Sequence, residues 1–194
     1  MNNYKSLSKR IFDFIFSFLL IPMLFPLWVV IIFCIMIIDG FPIFFTQKRV
    51  GVLGKEFSIF KFRTMRVGTP DMSTEDILNL RIKAITPLGN FLRRTSIDET
   101  PQVFNILRGE MSFVGPRPAL PSQTNLIDGR QMMGIDMSLP GLTGIAQAKG
   151  RDNLTINHKL KYERFYLQNS NICLDLYILF FLTPSAIFSN RGNK

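Results

Sequence analysis

The chain has 194 residues, of which 47% are hydrophobic and 23 are Lys or Arg against 14 Asp or Glu, a net charge of +9. That length suits one domain with an appendage, and that apolar content excludes a disordered chain. A single histidine, His158, excludes a multi-histidine metal site, and two distant cysteines, Cys34 and Cys173, exclude CxxC redox and Cys-cluster zinc chemistry. A chain both greasy and basic points to membranes and anionic ligands.

Phe14 to Ile38 carries no charged residue and is flanked by Asp13 and Asp39. As a straight helix it would reach about 37 Å, enough for a hydrocarbon core of about 30 Å. It is too long for a cleavable signal, and no small-residue cleavage site follows. Two topologies stand. One is a plain span. The other is a re-entrant helix–break–helix hairpin, with the break at Pro22 and Pro26, each of which removes a backbone donor. Lys5, Lys9 and Arg10 precede the run, and Lys48, Arg49, Lys55, Lys61 and Arg63 follow it. Both flanks are therefore of the kind that stays cytoplasmic, which a hairpin satisfies.

After residue 40 the chain reads as one globular unit. Phe41 to Gln47 and Glu56 to Arg63 read as strands, joined through Gly51 and Gly54 as a β-hairpin. Thr74 to Ala84 reads as a helix, and Thr86-Pro87 opens another. A helix from about Ile97 to Leu107 is expected to stop near Gly109. Pro116, Pro118 and Pro121 mark an extended stretch, and Pro140-Gly141 with Gly144 a turn. Asn157 to Gln168 reads as a polar helix with His158 on its surface. Ile172 to Phe188 reads as a buried or interfacial apolar helix. The expected fold is α+β and mostly helical: a membrane-inserted segment over 1–40, then a compact domain over 41–194.

Chemistry concentrates in Thr95-Ser96-Ile97-Asp98-Glu99-Thr100-Pro101. Ser96 and Glu99 have capping-box spacing, which is a purely structural reading. Adjacent carboxylates can equally hold a divalent cation or supply a nucleophile for phosphoryl transfer. Lys61, Arg63, Arg93, Arg117 and Arg151 are candidate phosphate ligands, Arg being the preferred bidentate donor. Arg117 is the most specific, because Pro116 and Pro118 fix the backbone that aims it. The alternative is a solvated basic face that docks on anionic lipid.

Several collinear segments carry a resemblance. They are Lys9-Arg10-Ile11-Phe12-Asp13, Phe60-Lys61-Phe62-Arg63-Thr64-Met65 and Leu92-Arg93-Arg94-Thr95-Ser96-Ile97-Asp98-Glu99. Pro101-Gln102-Val103-Phe104-Asn105, Gly109 through Pro118 and Pro140-Gly141-Leu142-Thr143-Gly144 complete the set. Together they resemble the small bacterial initiating sugar transferases, the monotopic phosphoglycosyl transferases that act on polyprenol phosphate. The resemblance spans nearly the whole chain. It implies a UDP-sugar donor, undecaprenyl phosphate as acceptor, Mg²⁺ and release of UMP. It implies Asp98 as the nucleophile that comes to carry a covalent sugar phosphate, with Glu99 as the partner that helps hold Mg²⁺ or assists the acceptor. Arg117, Lys61, Arg63, Arg93, Arg151 and Glu163 then contact phosphate or substrate. The implied setting is the cytoplasmic face of the bacterial inner membrane. Membrane lipid is the contact there, downstream glycosyltransferases are possible partners, and no nucleic acid is involved. Larger relatives carry additional transmembrane helices and a further domain upstream, so a minimal form is expected. Phe25-Pro26 stands where a Ser-Pro break is usual, Ile145 where Trp is usual, and Glu163 where Asp is usual. A non-enzymatic membrane adaptor that binds anionic lipid or a partner protein is the competing expectation.

Overall fold

The computed structural model describes residues 7–70, 84–150 and 154–185. The expected helix over Thr74 to Ala84 falls almost wholly outside them, as does Arg151.

Helix α1 (Leu7–Ile38) is one 32-residue helix that contains both Pro22 and Pro26. The expected break is thus not an interruption of the helical backbone. Each proline only withdraws one donor, from the carbonyls of Phe18 and Pro22, and the flanking turns keep helical geometry. Among the described residues, α1 is the one helix long and apolar enough to cross a membrane. One stripe of α1 is buried, through Lys9, Asp13 and Ser17 and then Trp28, Ile31 and Ile35. Phe18, Met23, Phe25, Val30 and Ile37 face outward.

Both ends of α1 are tied to the rest of the chain. Near its start, Lys9 pairs with Asp175 at 2.5 Å. Arg10 donates to the carbonyls of Ile106 and Leu107, and Asp13 accepts from the Phe113 N–H at 3.2 Å. Toward its end, Trp28 Nε1 donates to Thr100 Oγ1 at 2.9 Å. Arg63 Nη2 donates to the carbonyls of Asp39 at 2.6 Å and Gly40 at 2.7 Å. A cation on the last carbonyls satisfies orphan acceptors and complements the helix dipole.

Strands β1 (Phe44–Val50) and β2 (Glu56–Phe62) form the expected antiparallel hairpin, with Gln47 opposite Ile59. Helix α2 (Pro87–Thr95) begins as the sequence predicts: Thr86 Oγ1 accepts from the Gly89 N–H at 2.9 Å, with proline in the first turn. It ends at Ser96 in the left-handed region, φ 58°.

The next segment departs from expectation. Ile97–Gln102 is a 3₁₀ turn, and only Val103–Arg108 (α3) is α-helical, ended by Gly109 at φ 81°. Pro101 is the cause, since it cannot donate to Ile97. The Thr100 hydroxyl takes that carbonyl instead, at 2.8 Å. The capping box does not form either. Ser96 makes no side-chain cap bond, and the Glu99 carboxylate is engaged elsewhere.

Strand β3 (Ser112–Val114) pairs in parallel with β4 (Gly141–Thr143), where a turn was expected. Glycine permits the pairing: a Cβ on Gly141 would lie 2.1 Å from the Gly115 nitrogen. Between these strands lies α4 (Thr124–Met132). Helices α5 (Ile145–Gly150), α6 (Ile156–Asn169) and α7 (Ile172–Tyr177) follow, α7 running into a π turn over Ile178–Leu182. The main core joins Trp28, Ile31 and Ile35 of α1 to Ile59, Phe62, Leu92, Ile106, Met111 and Tyr166. Helix α1 is therefore part of the core that positions the site.

Candidate active site

The tight 3₁₀ turn puts two adjacent carboxylates in different surroundings. Asp98 is buried, with 6% of its surface exposed. Glu99 Oε1 accepts from Lys61 Nζ at 2.7 Å and from Arg117 Nη2 at 3.1 Å. Lys61 comes from β2 and Arg117 from the proline-flanked stretch after β3. Asn105 of α3 holds β2 in place: its Oδ1 accepts from the Phe60 N–H at 3.2 Å and its Nδ2 donates to the Ser58 carbonyl at 2.8 Å. The hairpin thus delivers Lys61 to Glu99.

These surroundings drive the two acids apart. Burial, then the Glu99 charge beside it, raises the Asp98 carboxyl from 3.8 to about 6, against the pull of Lys61, Arg93 and Arg117. Burial also pushes the Glu99 carboxyl up, but Lys61 and Arg117 outweigh it and hold it far below the usual carboxylate range. Burial pushes the Lys61 ammonium down, and Glu99 partly restores it. The outcome is one acid held in its charged form beside one raised to about 6.

The pair opens on a cavity of about 680 Å³ that Lys61, Arg93, Asp98, Glu99, Arg117 and Arg130 all line. Arg93 Nε donates to Thr64 Oγ1 at 2.9 Å. The Arg117 side chain keeps 42% of its surface exposed, so it can reach a ligand while bonded to Glu99. Arg63 lines the cavity too, but its Nη2 caps α1, which makes it a structural cation first. His158 is on the surface as expected, bonded to Thr155.

Glu163 was expected among the substrate ligands. It lines the cavity, yet both of its oxygens bond Arg130, at 2.6 and 2.8 Å. Arg130 escaped the sequence reading. Nothing in the weakly patterned α4 marks it, and the one available signal was that a buried acid at 163 requires a cation.

Among the described residues no group of three or more His, Cys, Asp or Glu could hold a metal alone. Two carboxylates still suit Mg²⁺, which commonly takes one or two protein carboxylates and fills its shell with phosphate and water. Both cations on Glu99 bond Oε1, which leaves Oε2 and the Asp98 carboxylate as the oxygens that fit it.

Comparison with known proteins agrees with this chemistry. The exopolysaccharide production protein ExoY of Sinorhizobium fredii is 33% identical, over 96% of this chain and 88% of that protein. The undecaprenyl-phosphate glucose phosphotransferase of Komagataeibacter xylinus is 36% identical, over 99% of this chain and 38% of that protein. The UDP-glucose:undecaprenyl-phosphate glucose-1-phosphate transferase of Klebsiella pneumoniae is 35% identical, over 99% and 42%. The family profile described as bacterial sugar transferase matches residues 4–190. With a polarised carboxylate pair facing a cavity lined by Lys and Arg, the chain belongs to the bacterial sugar transferases.

Proposed function

We propose that this phosphoglycosyl transferase moves a sugar 1-phosphate from a UDP-sugar to undecaprenyl phosphate and releases UMP, in two displacements through Asp98. In the first, an Asp98 oxygen attacks the sugar-bearing phosphorus. A bond to that phosphorus forms, the bond to the UMP oxygen breaks, and UMP departs with the electron pair. In the second, a phosphate oxygen of the acceptor attacks the same phosphorus, and the Asp98 carboxylate leaves. The single observation behind this reading is the buried Asp98 carboxyl lining the basic cavity while Glu99, beside it, accepts from both Lys61 and Arg117. A nucleophile must be ionised and not tied up by neighbouring side-chain cations, and Asp98 meets that need because Glu99 takes Lys61 and Arg117. Lys61, Arg93 and Arg117 then face the phosphate charge. Asp98 and Glu99 Oε2 would hold Mg²⁺, whose chemistry is to neutralise the diphosphate. A non-enzymatic adaptor needs none of this.

The membrane setting belongs to the same proposal. Residues 1–40 insert, residues 41–194 carry the chemistry, and the protein sits as a monotopic enzyme on the cytoplasmic face of the inner membrane, where later glycosyltransferases would meet its product. The ties at both ends of α1 support this. Lys9 to Asp13 and Trp28 to Gly40 grip one and the same domain, which a straight span across about 30 Å of hydrocarbon would not allow. Reporters fused before Lys5 and after Lys194 are expected to read cytoplasmic together. Opposite readings would overturn the monotopic arrangement.

The reaction is tested by UMP release from purified, detergent-solubilised protein with undecaprenyl phosphate, Mg²⁺ and a panel of UDP-sugars. One donor should yield UMP, and EDTA should stop it. No UMP from any donor would reject the reading. Relatives named for glucose and for galactose match at 36% and 34% identity, so both sugars belong in the panel.

A further inference from the structure

Arg117 lies in a stretch that cannot secure itself. Pro116 and Pro118 have no N–H, so the backbone there has few donors of its own. It is held by its acceptors instead. Four successive carbonyls each take a donor from another part of the fold. The Pro116 carbonyl accepts from the Gly141 N–H of β4 at 2.7 Å. The Arg117 carbonyl accepts from Arg130 Nη2 of α4 at 2.8 Å. The Pro118 carbonyl accepts from Arg49 Nη1 of β1 at 3.1 Å. The Ala119 carbonyl accepts from the Val50 N–H at 2.9 Å.

The contact to Arg117 itself is therefore a side-chain contact, and that side chain is built in. Arg130 is 8% exposed and Glu163 is 4% exposed. Glu163 of α6 takes Arg130 with two parallel bonds, Nε to Oε2 at 2.8 Å and Nη2 to Oε1 at 2.6 Å. A fork-on-fork pair fixes the plane of the guanidinium as well as its place. Nη2 then bridges the Glu163 carboxylate and the Arg117 carbonyl. From there the Arg117 side chain reaches Glu99 at 3.1 Å. An unbroken line of contacts runs from α6 to the carboxylate pair.

We propose that Glu163 and Arg130 are positioning residues, which set the Arg117 guanidinium against Glu99 and the donor diphosphate by holding the Arg117 carbonyl. This rests on the transferase reading and adds to it. Glu163 becomes a residue that acts through two arginines, not a substrate ligand.

A double-mutant cycle tests this, with wild type, Glu163→Gln, Arg117→Ala and the double variant, each confirmed as folded by thermal unfolding. In the wild-type background Glu163→Gln should lower kcat/KM about tenfold, and in the Arg117→Ala background less than about twofold. Arg130→Lys, which keeps a charge for Glu163 but not the fork, should behave as Glu163→Gln does. Equal fold-losses in both backgrounds would overturn the proposal. Calorimetric UDP affinity across the same four proteins gives a readout without turnover. If no donor yields UMP, the transferase reading fails, and this cycle still decides: coupled losses of UDP affinity support the positioning role, whereas additive losses or no UDP binding by wild type reject it.

Discussion

Asp98→Asn is expected to abolish turnover and to make the protein more stable. The loss follows from its proposed role: an amide cannot attack phosphorus, and removing a nucleophile should cost about 10³-fold or more. The gain follows from burial. The unfolded Asp98 carboxyl ionises near its ordinary 3.8 and the folded one near about 6. Between those values the folded chain keeps a proton that the unfolded chain has released. The contribution of this group to stability is therefore present at low pH and falls as pH rises from about 4 to about 6, then stays lost. At one pH unit per 1.36 kcal/mol, the ionised side chain costs about 2–3 kcal/mol at neutral pH. A neutral isostere removes that cost and should raise Tm by roughly 4–10 °C at pH 7.5. Thermal unfolding and UMP release on the same preparation check both halves. An inactive variant with lowered Tm would contradict the electrostatic account, and a fully active one would reject Asp98 as nucleophile. In the wild type the rate should be halved near pH 6 and fall about tenfold per unit below it.

Glu99→Gln, one residue away and chemically as conservative, is expected to move stability in the opposite direction. Glu99 is ionised at any working pH and accepts from two cations. Its amide leaves Lys61, whose side chain is 15% exposed, without a carboxylate. Breaking one side of a buried pair costs on the order of 3 kcal/mol. Removing the Glu99 charge also takes away the second cause of the raised Asp98 carboxyl. The acid limb of the rate profile should shift below pH 6 while the maximal rate drops about 10–100-fold, because Lys61 and Arg117 turn toward the nucleophile. A pH–rate series with a matched melting curve separates these effects. A profile still centred near pH 6 would show that Glu99 does not tune Asp98.

The carboxylate pair, the basic residues around it and the long apolar entry were all legible from the sequence. So were the β-hairpin, the Thr86-Pro87 helix start and the Gly109 stop. These are local: a cap, a proline, a glycine and an alternating run act through neighbours a few residues away. Local signals misread Ser96, Pro101 and Pro140–Gly144. At Ser96 and Glu99 the capping spacing was correct, but Lys61 and Arg117 compete for the same carboxylate and win, because an ionic bond in a buried site outweighs a bond to one terminal N–H. At Gly141 the turn signal lost to pairing with β3, which needs a glycine at that close approach.

The residue types alone pointed to an anionic ligand and a membrane setting, because their charge and hydrophobicity need no fold to be recognised. Only the tertiary structure decided how differently the two neighbouring acids are surrounded. That depends on which cations reach which oxygen, and Lys61, Arg93 and Arg117 come from three separate parts of the chain. It also showed that Glu163 pairs with Arg130, which lies 33 residues away with no periodicity to link the two. Ionisation in a buried site is set by distance in space, which a linear pattern does not contain.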